Sequence, residues 1–130
     1  MKISKYLSDI GVKAEDLPWN TQGDRVEEWE KQREIYGFDD RDTWSLNYTI
    51  VFLLYPRLKM YREKAHEIID LNFHTFNHRG KKLTQGECID IILDRFEQYL
   101  SAMYSYDDPD VDVISEAWEL FNLIFLYLWW

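Results

Sequence analysis

No lysine or arginine follows Arg95, although seven carboxylates do: Glu97, Asp107, Asp108, Asp110, Asp112, Glu116 and Glu119. Cysteine is nearly missing as well. Cys88 stands alone, which excludes an internal disulfide or a thiolate-built metal site and points to a reducing compartment. There is no glycine-rich phosphate loop, no serine nucleophile motif and no pair of histidines flanking a glutamate on one helix. Long apolar runs are lacking. Leu120 to Trp130 is the most apolar stretch, well short of the ~20 residues a membrane-spanning helix needs. With Glu116 and Glu119 just before it, this stretch is expected to be a buried helix. Met1 to Ile10 carries no long apolar run, so neither a secretory signal nor a membrane partner is expected. The expected location is the cytoplasm.

What is present points to a folded domain. Hydrophobic residues make up 46% of the 130 and aromatics 17%, too many for a disordered chain. That length fits a single domain, residues 1–130, with a core that needs no staples. The net charge of −9 is unevenly spread: −4 over residues 1–56, +4 over 57–82, −2 over 83–95 and −7 over 96–130. Phosphate contacts need clustered cations, so a conventional DNA- or RNA-binding module, and direct nucleic-acid binding with it, is not expected. A basic protein partner fits the charge better.

The spacing of apolar residues predicts helices. A short one is expected over Ser4–Ile10, ending at Gly11. A second runs through Val26, Trp29 and Arg33, capped by Thr21 or Asp24 and stopped by Gly37. Asp42 is the expected N-cap of a third. From Trp44 to Tyr55 this helix is apolar on nearly every side and therefore expected to be central; Pro56 then kinks or restarts it. Leu58, Tyr61, Ala65, Ile68 and Ile69 continue a helical stripe. Asn72, Asn77 and Gly80 favour turns, and a small hairpin is compatible with residues 71–82; Phe73 and Phe76 would pin it to the core. Thr84-Gln85-Gly86-Glu87 has capping-box spacing, and Ile89, Ile92, Leu93, Phe96, Leu100 and Met103 line one face of the helix it opens. Asp108 as N-cap and Pro109 at the first helical position begin the last helix, whose apolar face reads Ile114, Trp118, Phe121, Phe125 and Leu128. The expected fold is all-α: a compact bundle of four or five helices around a central apolar helix.

Four strings recur together in a known setting: Gly37 to Trp44, Tyr55 to Lys59, Leu71 to Phe76, and Thr84 to Glu87 with the helix after it. The combination, covering about half of the chain, resembles small acidic helical proteins encoded by bacteriophages and prophages. The resemblance implies an accessory phage protein acting in a bacterial host cell. It carries over no catalytic residues. The strings also have local explanations. Phe38 to Trp44 reads as a staple with an Asp cap, and Arg41 among Asp39, Asp40 and Asp42 as an exposed ion-pair cluster.

Four constellations could carry chemistry. Glu63 and Glu67, with Glu87 and Asp90 on the following helix, partly match the all-helical nucleotide pyrophosphohydrolases. Those enzymes hold magnesium with glutamates on one helix and a Glu-x-x-Asp pair on the next. The paired glutamates of the first half are missing here, and Glu87 has its capping role. His66, His74 and His78, with Glu67 or Asp70, could form a metal site but lack tight ligand spacing. Asp108, Asp110, Asp112 and Glu119 take the first, third, fifth and twelfth positions of a calcium loop, but Val113 occupies the place of its glycine. Cys88 lies near a helix N-terminus, which could lower its pKa, although a small buried hydrophobe is the better reading.

The favoured expectation is thus a non-catalytic interaction protein with no cofactor. Asp107, Asp108, Asp110, Asp112, Glu116 and Glu119 would form an acidic surface that inhibits a basic partner, such as a host nucleic-acid-directed defence nuclease or CRISPR effector. The alternatives are a magnesium-dependent nucleotide enzyme built on Glu63, Glu67, Glu87 and Asp90, and a structural or regulatory phage protein. In the last case Trp129 and Trp130 would seal the core or form a homodimer patch.

Overall fold

The computed structural model describes residues 2–103 and 110–130. These are mostly helical, but they also contain a two-stranded antiparallel sheet, so the fold is not strictly all-α. The helices are α1 (Lys5–Asp9), α2 (Val26–Tyr36), α3 (Arg41–Trp44), α4 (Leu46–Lys64), α5 (Gln85–Ala102) and α6 (Val111–Ile124); the strands are β1 (Thr75–His78) and β2 (Lys81–Thr84). The chain divides into two compact units, Met1–Pro56 and Arg57–Trp130.

In the first unit Leu7, Val12, Leu17, Trp29, Val51, Phe52 and Tyr55 are buried. Gly37, at φ 84°, ends α2 as expected, in a left-handed conformation that other residues enter at a cost. No side chain caps the start of α2, which begins after Arg25, so the expectation of Thr21 or Asp24 fails. Asp42 does not cap the long helix either. It lies inside α3, where its carboxylate accepts from the Asp39 amide at 3.2 Å. Ser45 then breaks the chain before α4 begins. Helix α4 runs through Pro56 as one element. It is not buried all round: Leu46, Ile50 and Leu53 are exposed.

The Asp39–Arg41 pair is buried rather than exposed. The Arg41 guanidinium donates twice to the Asp39 carboxylate, at 3.0 and 2.8 Å, and once to the Thr21 carbonyl at 2.7 Å. Arg33 of α2 adds a 2.6 Å bond to Asp39, and the Arg41 guanidinium lies 4.1 Å from the Trp29 ring centroid. Burial alone would raise the Asp39 pKa. The Arg41 hydrogen bonds outweigh it and pull the pKa down to about 2.

The second unit is built on α5 packed against α6. The Thr84 hydroxyl accepts from the Glu87 amide at 3.1 Å, and the Glu87 carboxylate accepts from the Thr84 amide at 3.0 Å, completing the expected capping box. Ile89, Ile92, Leu93, Phe96 and Leu100 are all buried on the face the stripe predicts. The hairpin pairs Thr75 with Thr84 and His78 with Lys81. Its two-residue turn has positive φ at both Arg79 and Gly80, the pattern of a type I′ turn, whose twist suits the flanking strands. Phe73 is exposed instead of anchoring this segment, whereas Phe76 packs on Tyr127 at 5.1 Å. Ala117, Leu120 and Ile124 are the buried residues of α6. This face is rotated from the expected one, so that Trp118 meets Phe96 from the flank at 5.2 Å and Phe125 is exposed. Leu120 to Trp130 is not one buried helix: α6 ends at Ile124, a 3-10 turn follows, and Trp129 and Trp130 are exposed rather than sealing a core. Among the described residues no helix is long and apolar enough to cross a membrane.

Candidate functional site

Helix α6 opens on Asp110, whose carboxylate accepts from the Asp112 amide at 2.9 Å. Asp107 and Asp108, and the expected cap at Asp108, lie outside the described residues. Residues 112, 116 and 119 are spaced four and three apart, so their carboxylates share one face of the helix. With a rise of ~1.5 Å per residue they span about 10 Å.

That face is not bare. The hairpin turn places Arg79 against it. The guanidinium is 3.2 Å from Asp112, 3.4 Å from Glu116 and 3.1 Å from Glu119. Arg95 of α5 donates to Glu116 at 2.7 Å and also pairs with Asp94. The buried His78 ring places Nε2 3.0 Å from Glu116 Oε2. The His78 hydrogen bond, followed by the hydrogen bond and charge of Arg95, holds the Glu116 pKa below its ordinary value against the opposing effect of burial. Arg79 and Arg95 are held more firmly protonated by the same carboxylates.

The carboxylates therefore differ in kind. The Glu116 side chain is only 15% exposed and belongs to the packing. Those of Asp112 and Glu119 remain 73% and 50% exposed while paired, and Asp110 is exposed. Because 111–119 is continuous helix, no twelve-residue calcium loop exists there.

The residues of the enzymatic alternative are placed elsewhere. Glu63 and Glu67 are exposed. Glu87 is occupied by the capping box, and Asp90 accepts two bonds from Arg62, at 2.9 and 3.3 Å. Among the described residues no group of three or more His, Cys, Asp or Glu side chains is arranged to hold a metal ion. The histidines do not meet: His66 is exposed, His74 lies against Tyr127 with ring centroids 4.6 Å apart, and His78 faces Glu116. Cys88 is fully buried, and burial, with Glu87 adding, pushes its thiol up to about 11. This is the opposite of an activated nucleophile.

Arg79, Arg95 and His78 are the members of this site that the pattern of residues did not reveal. Their partners on α6 are 21 to 40 residues away along the chain, beyond the reach of helical periodicity. Compared with family models, curated proteins and solved structures, the chain matches none.

Proposed function

We propose that this chain is a non-catalytic interaction protein whose α6 face binds a basic partner. One observation carries the proposal. The α6 carboxylates Asp110, Asp112, Glu116 and Glu119, with Asp94 of α5 beside them, make five; of these, Arg79 pairs with Asp112, Glu116 and Glu119, and Arg95 with Glu116 and Asp94. With His78 left out of the count, five carboxylates against two guanidiniums leave an excess of three negative charges across α6 and the adjoining Asp94 of α5, on helices that pack against each other. Fixed charges attract an opposite surface without first being ordered, which favours fast, salt-sensitive association. The resemblance to phage proteins supports a partner in the bacterial host. A nuclease of nucleic-acid-directed defence, such as a CRISPR effector, offers a cationic channel that such a face would occupy in place of phosphates.

The test is target-DNA cleavage by such a nuclease with the protein added, at low and high ionic strength. Wild type suppresses cleavage at low salt and loses potency as salt rises, because the Debye length shrinks. Asp112→Asn with Glu119→Gln removes the two most exposed paired carboxylates of α6 and weakens suppression, while a thermal melt verifies folding. Suppression unchanged by both salt and substitution, or no interaction with cationic nucleases, would refute the proposal.

A further inference from the structure

The second unit holds a cavity of about 260 Å³ that shares no residue with the α6 face. Four rings wall it: Phe73, His74, Tyr127 and Trp129. Phe73 meets His74 edge-on at 5.0 Å, and His74 lies 4.6 Å from Tyr127. Ile69 completes the apolar wall, and the polar groups are Asp70 and Gln85.

The state of these two polar groups limits what can enter. Gln85 is 1% exposed. Its amide nitrogen donates to the Tyr127 carbonyl at 3.0 Å and to the Tyr61 hydroxyl at 3.3 Å. A carbonyl can only accept, so this partner fixes the amide orientation. The single Tyr61 hydroxyl proton is shared between the Trp129 carbonyl at 3.0 Å and the Tyr127 carbonyl at 3.2 Å. The Gln85 oxygen is left as an acceptor with no bond from the described residues. Asp70 uses Oδ1 to accept from the Asn72 amide at 2.9 Å, which leaves Oδ2. No lysine or arginine lines the cavity, so a phosphorylated ligand has nothing to neutralise it. Two oriented acceptors, one of them charged, among aromatic faces suit a planar cation with several N–H donors.

We propose that this cavity receives the guanidinium of an arginine side chain presented by a protein partner. The choice of a protein as the source rests on the function proposed above; the preference for a guanidinium rests on the cavity alone. Rings and carboxylate act together: the plane stacks on Tyr127 or Trp129 while its edge donates to Asp70 Oδ2 and Gln85 Oε1.

The experiment titrates the full chain with N-acetyl-arginine methylamide and follows the Gln85 side-chain amide and the Trp129 indole by NMR. It is run near pH 8. A saturable shift of both signals is expected. Affinity falls about fivefold in Asp70→Asn, the upper range for an exposed ion pair, and the Gln85 shift is lost in Trp129→Leu. The citrulline analogue, isosteric but uncharged, should not saturate. Equal binding of citrulline or of adenosine would overturn the proposal, as would full affinity in Asp70→Asn. Free arginine binding more tightly than the blocked form would also overturn it by moving the source to a small molecule. Asp112→Asn with Glu119→Gln should leave this titration unchanged. A failure here therefore leaves the α6 face standing, and a failure there leaves the cavity standing.

Discussion

At the scale of single residues, most buried polar groups among the described residues are paired, and Thr49 stands out. Thr49, 2% exposed on α4, donates its amide to the Ser45 carbonyl. Its hydroxyl is sealed from solvent and has no partner among the described residues. Burying a hydroxyl without a hydrogen bond costs ~1–3 kcal/mol in proteins. Valine has the same branching and nearly the same shape, so Thr49→Val removes that cost without opening a cavity. It should raise stability by about 1 kcal/mol, measured as a higher urea midpoint at unchanged slope. A lower midpoint would mean that the hydroxyl is satisfied by water. Asp39 is the contrasting case, with Arg41, Arg33 and the Arg41 amide all donating to its carboxylate.

At the scale of elements, the hairpin turn decides where Arg79 lies, and with it the charge on α6. Gly80 sits at φ 81° with nothing within 4 Å of where a Cβ would stand. Gly80→Ala therefore meets no clash, only the left-handed backbone cost of ~1–2 kcal/mol. Stability should fall by about that amount, and amide exchange at residues 75–84 should rise more than at α5, as local opening of the hairpin requires. Elements of this kind also mark the limit of what the residue pattern reveals. The capping box and stripe of α5 and the Gly37 stop were legible because each depends on residues within one or two turns. The hairpin was half legible: Gly80 marked its turn, while Asn77 lies in β1 opposite Lys82 and the strands extend to Thr84 rather than ending at residue 82. The rotation of α6 was not legible. Its sequence offers two apolar stripes, and the choice between them falls to small Ala117 against α5 and to Arg79 and Arg95 holding Asp112, Glu116 and Glu119. For the same reason the carboxylates of α6 were recognisable as a set, but not as a paired one.

For the whole molecule, acidity opposes itself. A net charge of −9 disfavours the folded state by self-repulsion, and protonating exposed carboxylates relieves it. The paired carboxylates work the other way. Asp39 and Glu116 both have folded-state pKa values depressed below their unfolded ones. Their stabilisation is complete above the unfolded values and is lost as pH falls through the folded ones. For Asp39 the drop from 3.8 to about 2 corresponds to about 2 kcal/mol at neutral pH, lost mostly between pH ~4 and ~2. The urea midpoint should therefore be nearly flat from pH 7 to 5 and fall steeply below about 4.5, where the chain has passed its isoelectric point of about 4.7 and carries growing positive charge. Asp39→Asn tests the cause. It strands the Arg41 guanidinium, which is 8% exposed, so stability at pH 7 should drop by ~3–5 kcal/mol. Because asparagine does not titrate, the variant should then lose about 2 kcal/mol less than wild type between pH 5 and 2.5. If both proteins lose the same amount over that range, the acid sensitivity belongs to the carboxylates around Glu116 or to exposed acids, and the Asp39–Arg41 pair is not what ties this acidic chain to neutral pH.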